Sequence, residues 1–360
     1  MNFCPKCRKK LVVQDFCVEC GADLSEYLNN CTSDSLGGFD FSAMQNEANK
    51  QLSEQIGLQV ENGVLVKYTG KTREVVIPKG VTEIFDGAFE NNEIISSVVI
   101  PEGVKIIGKR AFYGCRYLKT VKIPSTVEEI YNEAFNGCAE LEEVIIPEKV
   151  KIIRRSVFAG CHRLKSITIP KGLTRIEDYG LSCTSERVCI SDLESWLKLE
   201  FDSYYGGGKP SGDLYVNGKL LEEAIIPTSV TVIKKEAFLG CKSLKSVILH
   251  NGITGIGENA FYNCKSLKAI SVPGSVKGIS KNAFYGCSTL SSVALNEGIE
   301  VIGADAFYGC VTESIRLPRS IRGLNGIFHP FGNRLKKVYA PKENRQYFKN
   351  IFGGIEIIEY

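Results

Sequence analysis

Four cysteines near the amino terminus of this 360-residue chain have the type and spacing that most directly indicate chemistry. The segment CPKCRKKLVVQDFCVEC contains two Cys-x-x-Cys pairs, Cys4 with Cys7 and Cys17 with Cys20. Each pair can form a tight turn that places two thiolates on one metal ion, and two such turns across a short hairpin complete a tetrahedral set of four sulfur ligands. The sequence therefore predicts a zinc site formed by these four cysteines.

The predicted zinc ion has a structural role. Four thiolates close the coordination sphere and leave no position for a catalytic water. A segment this short cannot bury a core that folds alone, whereas structural zinc contributes about 10 to 16 kcal/mol. The alternative is a set of redox cysteines, but two such pairs without a βαβ pattern favour a metal. We therefore predict a zinc ribbon over residues 1–26, of which residues 3–24 resemble the short zinc ribbons of many bacterial proteins.

The charge of the chain gives little indication of a nucleic-acid partner. Lysine and arginine number 44, against 41 aspartate and glutamate residues. A phosphate-binding module normally has an excess of positive charge. In the predicted ribbon the charges balance, with Lys6, Arg8, Lys9 and Lys10 against Asp15, Glu19, Asp23 and Glu26. A regulator that contacts nucleic acid through the four basic residues stays an alternative, which salt-dependent binding to DNA or RNA would support.

The sequence shows neither an export signal nor a membrane span. The first residues lack the apolar stretch of a secretory signal, and no uninterrupted apolar run approaches the length of about 18 residues that a transmembrane helix needs. We therefore expect a cytoplasmic protein, in which cysteine thiols stay reduced.

A linker and a short helix are predicted between the ribbon and the rest of the chain, over residues 27–57. The stretch NNCTSDSLGG is small and polar, as is typical of a flexible tether. After it, Ser42 and Gln45 form a plausible capping box. The apolar residues that follow at helical spacing are Met44, Ala48, Leu52 and Ile56. We expect this apolar stripe to cover the open end of the next domain, because a stacked repeat needs its first edge shielded.

A repeat of 23 residues occupies most of the remaining chain. AFYGCRYLKTVKIP at 111–124 returns as AFNGCAELEEVIIP at 134–147, VFAGCHRLKSITIP at 157–170 and AFYNCKSLKAISVP at 260–273. A fixed period of this length indicates a solenoid with one coil per repeat. The few apolar side chains of one coil cannot offset the entropy of ordering it, so the coils are stable only when their strands stack into a parallel sheet.

The repeats resemble the BspA-like branch of the leucine-rich repeat family. ENGVLVKYTGKTREVVIPKGVTEIFDGAF at 61–89 and AFYGCRYLKTVKIPSTVEEI carry the resemblance, which covers about residues 58–340. It implies a leucine-rich-repeat solenoid, a parallel β-sheet with short helical or irregular turns, which we place at 58–341 with a carboxy-terminal cap at 342–360. It also implies a protein that binds other macromolecules, often at the cell surface.

Seven cysteines share one position of the repeat, and we interpret them as core residues. Free cysteine is among the most buried residue types, and a small side chain stacked in register makes a buried ladder. Neighbouring coils lie about 4.8 Å apart, so disulfides are geometrically possible, but a reducing compartment and the uniform row favour free thiols. The residues are Cys115, Cys138, Cys161, Cys241, Cys264, Cys287 and Cys310.

The regular repeat is interrupted by an insertion at about 183–222. Within it, CISDLESWLKLEF predicts a helix with a capping box formed by Ser191 and Glu194. This helix carries the only tryptophan, Trp196. The insertion is predicted either to brace the sheet or to form a recognition element, since loops on a rigid scaffold often bind partners.

One row of side chains is the predicted partner surface. In each strand the residue between two inward positions is expected to point outward, and an apolar stripe beside small hydroxyl residues is typical of a protein-binding surface. The alternative is that the coil folds over this row and buries it. The candidate residues are Val99, Lys122, Ile145, Thr168, Ile225 and Ile248, continued by Ser271, Ala294 and Arg316, with Trp196 as a further candidate.

No group of residues indicates an enzyme. The chain has three histidines, His162, His250 and His329, and each replaces a variable or terminal position. A catalytic residue is expected in an oriented cluster with a nucleophile or a second acid. The sequence therefore predicts a non-catalytic protein-binding scaffold, with no small-molecule substrate evident. The alternatives are a cell-surface adhesin or host-interaction protein, as the resemblance implies, and the nucleic-acid-associated regulator.

Overall fold

The computed structural model describes residues 57–182, 184–202, 210–324 and 334–360. The predicted zinc ribbon with Cys4, Cys7, Cys17 and Cys20 lies outside the described residues, as do the predicted linker and amphipathic helix.

Two series of short strands build the repeat region. Series A comprises β3 (Glu74–Val76), β5 (Ser97–Val99), β7 (Thr120–Lys122), β9 (Glu143–Ile145), β11 (Ser166–Ile169), β13 (Thr184–Ile190), β15 (Ser211–Val216), β17 (Glu223–Ile225), β19 (Ser246–Ile248), β21 (Ala269–Val272), β23 (Ser292–Leu295), β25 (Ser314–Arg316), β27 (Lys337–Ala340) and β28 (Glu356–Glu359). Series B comprises β2 (Val64–Tyr68), β4 (Glu83–Ile84), β6 (Ile106–Ile107), β8 (Glu129–Ile130), β10 (Ile152–Ile153), β12 (Arg175–Ile176), β14 (Glu200–Phe201), β18 (Val232–Ile233), β20 (Gly255–Ile256), β22 (Gly278–Ile279), β24 (Val301–Ile302) and β26 (Gly323–Leu324). The remaining elements are β1 (Leu58–Glu61), β16 (Lys219–Leu220), α1 (Leu193–Lys198), a 3-10 turn (Lys342–Asn344) and α2 (Arg345–Ile351).

Within each series, strands of neighbouring coils pair in parallel in several runs, such as β3, β5 and β7 in series A and β18 to β26 in series B. Val98 lies opposite Val121 in series A, and Ile84 lies opposite Ile107 in series B. At the amino-terminal end, β1 and β2 form an antiparallel pair. Because the regular coils keep nearly the same length, one position of the sequence repeat becomes one row of side chains across them. The predicted solenoid with a parallel sheet is confirmed.

Stacked phenylalanines run through the core. The ring centroids of Phe89 and Phe112 are 4.7 Å apart, and those of Phe112 and Phe135 are 5.1 Å apart. The backbone N–H of Phe112 donates to the carbonyl oxygen of Ala134 in the next coil at 2.7 Å, so the same residue links coils through its ring and its backbone. A second stack contains Phe238, Phe261, Phe284 and Phe307.

The described part of the predicted insertion continues the solenoid. In series A, β13 pairs in parallel with β11, and β15 pairs in parallel with β13. In series B, β14 pairs in parallel with β12. The chain then turns through Asn217 and Gly218, both with positive φ as a tight hairpin requires, into the antiparallel strand β16. This segment therefore contributes irregular coils to the stack. Whether it braces the solenoid or takes part in recognition stays a prediction.

Helix α1 lies within these irregular coils. Its N-cap is Asp192, whose carboxylate accepts a hydrogen bond from the backbone N–H of Ser195 at 2.8 Å. The predicted N-cap, Ser191, is one residue too early. Trp196 and Leu197 form the buried side of the helix.

Residues 342–360 close the carboxy-terminal end. The side chains of Phe348 and Phe352, in and next to α2, are buried. After the helix, β28 pairs in parallel with β27 and extends series A by one strand.

The phenylalanine stack predicts a large difference between two Phe-to-Ala substitutions. Phe112→Ala removes a fully buried ring between two neighbours, so we expect a loss of about 3 to 5 kcal/mol in the free energy of unfolding. Phe85→Ala is the matched control, because the Phe85 ring is 47% exposed and its loss should change stability by about 0.5 kcal/mol or less. Urea unfolding followed by circular dichroism measures both. Equal effects of the two substitutions would contradict the packing described above.

Candidate partner-binding surface

The strands of series A place alternate residues on opposite faces. In β9, Val144 is buried while Glu143 and Ile145 on either side of it are exposed. This alternation follows from the pleat of the strand. The register aligns the outward residues of successive coils, so that Val99 lies opposite Lys122 and Ile225 lies opposite Ile248. The predicted row of outward side chains therefore exists.

Five aliphatic side chains of this row are exposed, and we call them the aliphatic row. Their exposed fractions are 70% for Ile225, 59% for Ile145, 59% for Ile248, 52% for Val76 and 39% for Val99. Lys122 in the same row is exposed and Thr168 is half-buried. The alternative in which the coil folds over the row and buries it is therefore wrong.

Val76 is a member of this row that the sequence analysis missed. It lies opposite Val99 in the register of β3 and β5. The signal was available, because Val76 precedes Ile77 and Pro78 as Val99 precedes Ile100 and Pro101. Extending the row one repeat toward the amino terminus would have found it.

Trp196 is not part of the exposed surface. Its side chain is 3% exposed, and the indole N–H donates to the carbonyl oxygen of Ala237 at 2.9 Å. In a regular coil the equivalent carbonyl, such as that of Ala134, accepts from the backbone N–H of a phenylalanine. In the irregular coil the indole N–H of Trp196 therefore takes the place of that backbone donor. Trp196 therefore links neighbouring coils through this hydrogen bond, and its prediction as a partner-binding residue is wrong.

A border of ion pairs runs beside the aliphatic row. Glu142 pairs with Lys165 at 3.1 Å, and Glu222 pairs with Lys245 at 2.7 Å. Each pair joins neighbouring coils of series A. Exposed pairs of this kind add about 0 to 1 kcal/mol of stability, so their main effect is to neutralise charge along this border.

The seven repeat cysteines are buried and free of disulfides. Most of them make the same contact with the preceding coil. The Cys115 Sγ–H donates to the carbonyl oxygen of Phe89 at 3.1 Å, and the Cys138 Sγ–H donates to that of Phe112 at 3.3 Å. These weak hydrogen bonds satisfy the thiol without removing it from the core. The interpretation of this ladder as core packing is confirmed.

Burial also makes these thiols unreactive. Desolvation raises the pKa of the Cys115 thiol to about 12, and it raises the pKa of Cys138 and of Cys264 well above the ordinary value. Since the thiolate is the nucleophile and the metal ligand, these groups are poor candidates for either role near neutral pH. Cys189 differs, because it lies half-buried in the outward row, opposite Thr168.

Two of the three histidines lie within the described ranges, and their surroundings differ. His162 is exposed. The Nε2 atom of His250 lies 3.1 Å from the carbonyl oxygens of Pro227 and Val230, which indicates a role in holding a turn. His329 lies outside the described residues. In the part of the chain that is described, no group of three or more His, Cys, Asp or Glu side chains could hold a metal ion.

Series B carries a groove that is a second candidate surface. A shallow, mainly apolar groove of about 630 Å³ is lined by Val232, Gly255, Gly278 and Val301, among others. Val232 is the most exposed of the larger aliphatic residues there, at 40%. The aliphatic row of series A exposes larger side chains over more coils, so it is the stronger candidate for protein binding.

A comparison with protein families decides the identity of the repeat. The profile of the BspA type leucine-rich repeat region, in six copies, matches residues 64–186 and 213–329. The chain belongs to the BspA type leucine-rich repeat family. A comparison with curated proteins found no match.

Solved structures of bacterial leucine-rich repeat proteins are similar to this BspA type protein, and the first of them named here shares its fold. The chain is similar to the pneumococcal vaccine antigen PcpA, with 21% identity, a TM-score of 0.56 and coverage of 84% of this chain and 93% of that one. A leucine rich cell surface protein from Faecalibacterium prausnitzii A2-165 has 23% identity, a TM-score of 0.49 and coverage of 84% and 92%. A leucine-rich repeat protein from Bacteroides ovatus ATCC 8483 has 24% identity, a TM-score of 0.40 and coverage of 82% and 87%. Among the described residues, no helix is both long and apolar enough to cross a membrane.

Thiol labelling distinguishes the cysteine ladder from Cys189. In brief treatment of the native protein with N-ethylmaleimide at pH 8, we expect Cys189 to react at least about 100-fold faster than Cys115, Cys138 or Cys264, because their raised pKa values suppress the thiolate. Peptide mass spectrometry quantifies each site. The same reaction in urea is the control, and there all sites should react. Rapid labelling of the ladder in the native protein would show that these thiols are not core residues.

Proposed function

We propose that this BspA type leucine-rich repeat protein is a non-catalytic scaffold that binds another protein through the aliphatic row of series A. The observation that carries the proposal is the exposure of Ile145 in β9 and of the paired residues Ile225 in β17 and Ile248 in β19, all at the same position of the repeat. The family supports the same role, since its solenoids typically act as scaffolds. The identity of the partner is left open.

The energetics of this surface favour binding. Fully burying an aliphatic side chain contributes about 1.5 to 3 kcal/mol relative to leaving it in water. The strands that carry the row are held by neighbouring coils, so little conformational entropy is lost when a partner binds. Several aliphatic contacts on a rigid face can therefore yield a useful affinity without movement of the scaffold.

A double substitution on the row tests the proposal. Ile225→Asp with Ile248→Asp places two carboxylates on the surface that a partner would desolvate, so we expect at least about a 100-fold loss of partner binding. Stability should change little, because both side chains already face solvent. Proximity labelling in the native host with the full chain, followed by mass spectrometry, identifies the proteins whose labelling depends on the row.

Val232→Asp is the matched control for this experiment. It adds the same charge at an exposed aliphatic position, but in series B. The proposal requires that Val232→Asp keeps the partners that the double variant loses. Loss of the same partners from both variants, or from neither, would exclude the row as the binding surface.

Two cellular locations fit this function. Free buried thiols are typical of a reducing compartment, which supports the cytoplasm. Family members are often displayed at the cell surface, which supports the adhesin alternative. We propose the cytoplasm, and protease treatment of intact cells tests it. Cleavage of the chain under those conditions would place it at the surface.

We further propose that Cys4, Cys7, Cys17 and Cys20 bind one structural zinc ion. Two closely spaced Cys-x-x-Cys pairs support this, because they supply four thiolates at the spacing of a tetrahedral site. Elemental analysis of the purified full chain is expected to give about one zinc per chain, and Cys4→Ser with Cys17→Ser should remove it. Cys31→Ser is the control and should retain the metal. A metal-free wild-type chain would contradict the assignment.

A further inference from the structure

We propose that the partner segment bound to series A carries a lysine or arginine side chain beside its aliphatic ones, and that Glu223 recognises this cation. The inference rests on the proposed function, since it assigns a chemistry to the partner of that surface. The site is formed by Glu223 and Ile225 of β17 with Ser246 and Ile248 of β19.

The geometry places an acid next to the two adjacent isoleucines. Glu223 and Ile225 are two residues apart in one strand, so their side chains leave the same face about 7 Å from each other. Glu223 lies opposite Ser246, and Ile225 lies opposite Ile248. The carboxylate, a hydroxyl and two exposed isoleucines therefore form one patch.

The carboxylate of Glu223 is exposed and has no ion-pair or hydrogen-bond partner within the described ranges of the chain. Its neighbour Glu222 is already paired with Lys245 at 2.7 Å. The opposite residue in β19, Ser246, is uncharged. The patch therefore has one uncompensated negative charge beside the most exposed aliphatic residues of the row.

The same arrangement recurs at two other strands of the row. Glu143 precedes Ile145 by two residues in β9, and Glu74 precedes Val76 by two in β3. Neither carboxylate has an ion-pair partner in the described part of the chain. The patch on β3 and β5 has the same layout, with Glu74 opposite Ser97 and Val76 opposite Val99, and β9 contacts strand β7, which carries Lys122. The patch on β17 and β19 differs from the one on β3 and β5 in that its aliphatic side chains, Ile225 and Ile248, are more exposed.

Desolvation explains why the partner should be cationic. A partner that covers Ile225 and Ile248 also removes water from the adjacent Glu223, and burying an unpaired carboxylate is costly. A partner cation offsets this cost and makes a charge-assisted hydrogen bond. For a partner without that cation, the cost of desolvating Glu223 would offset part of the binding free energy from the aliphatic contacts. The surface therefore selects a basic and aliphatic segment over an acidic one.

Site-specific cross-linking in the full chain tests the inference. The photoreactive residue p-benzoylphenylalanine replaces Ser271, an exposed residue of the same outward row in the coil after Ile248. After irradiation in the native host, mass spectrometry identifies the cross-linked segment of the partner. We expect a lysine or arginine within a few residues of an aliphatic side chain. An acidic or uncharged cross-linked segment would overturn the proposal.

Charge variants of Glu223 give the second readout. Glu223→Lys should reduce the cross-linked yield at least about 10-fold, and Glu223→Gln, which keeps the shape, about 2- to 5-fold. Glu93→Lys is the control, because Glu93 is exposed, lies outside series A and should leave the yield unchanged. An unchanged yield for both Glu223 variants would overturn the proposal.

The outcomes separate this inference from the proposed function. If Ile225→Asp with Ile248→Asp abolishes cross-linking and the Glu223 variants do not, the aliphatic row binds a partner and the basic segment is wrong. If neither set changes the cross-linked products, the row is not the binding surface and both proposals fail.

Discussion

Pairing between neighbouring coils is the constraint on which the rest of this structure depends. A single coil buries too few apolar side chains to offset its conformational entropy, so each coil needs the next. The backbone bond from Phe112 to Ala134 and the stacking of Phe112 on Phe135 join the same two coils. The cysteine ladder adds a hydrogen bond between the same phenylalanine and the next coil, from the Cys138 thiol to the carbonyl oxygen of Phe112. Because these cysteines are buried between coils, they stabilise the stack and are poor nucleophiles.

The same constraint creates the candidate binding surface. Strict register turns one repeat position into a row, so an isoleucine at that position in two adjacent coils becomes an exposed patch, as Ile225 and Ile248 do. The inward residues of the same strands, such as Ala224 and Val247, are buried and hold the patch in place. In each of these short strands the inward residues hold the scaffold rigid, and the outward residues that alternate with them form the candidate binding surface.

The sequence predicted the regular coils well because their information is local and repeated. The outward placement of Ile145 follows from the alternation around Val144, and the interval fixes its neighbours. The irregular coils lacked that signal, since β13 and β15 do not keep the repeat interval. The role of Trp196 was missed because its partner, Ala237, is distant in sequence. Capping and apolar patterns predicted helix α1 and its apolar face with Trp196 and Leu197, but they could not show that this face packs against other coils rather than a partner.

Deletion of one whole coil tests the central claim most directly. Removing residues 115–137, one repeat of 23 residues, joins Gly114 to Cys138 and keeps every later coil in register. We expect the shortened chain to fold cooperatively, with only slightly lower stability in urea unfolding monitored through the fluorescence of Trp196. Removing residues 115–126, about half a repeat, should lower the stability much more, because the rest of that coil no longer aligns with its neighbours. Equal tolerance of both deletions would contradict the claim that pairing between coils in register maintains the fold.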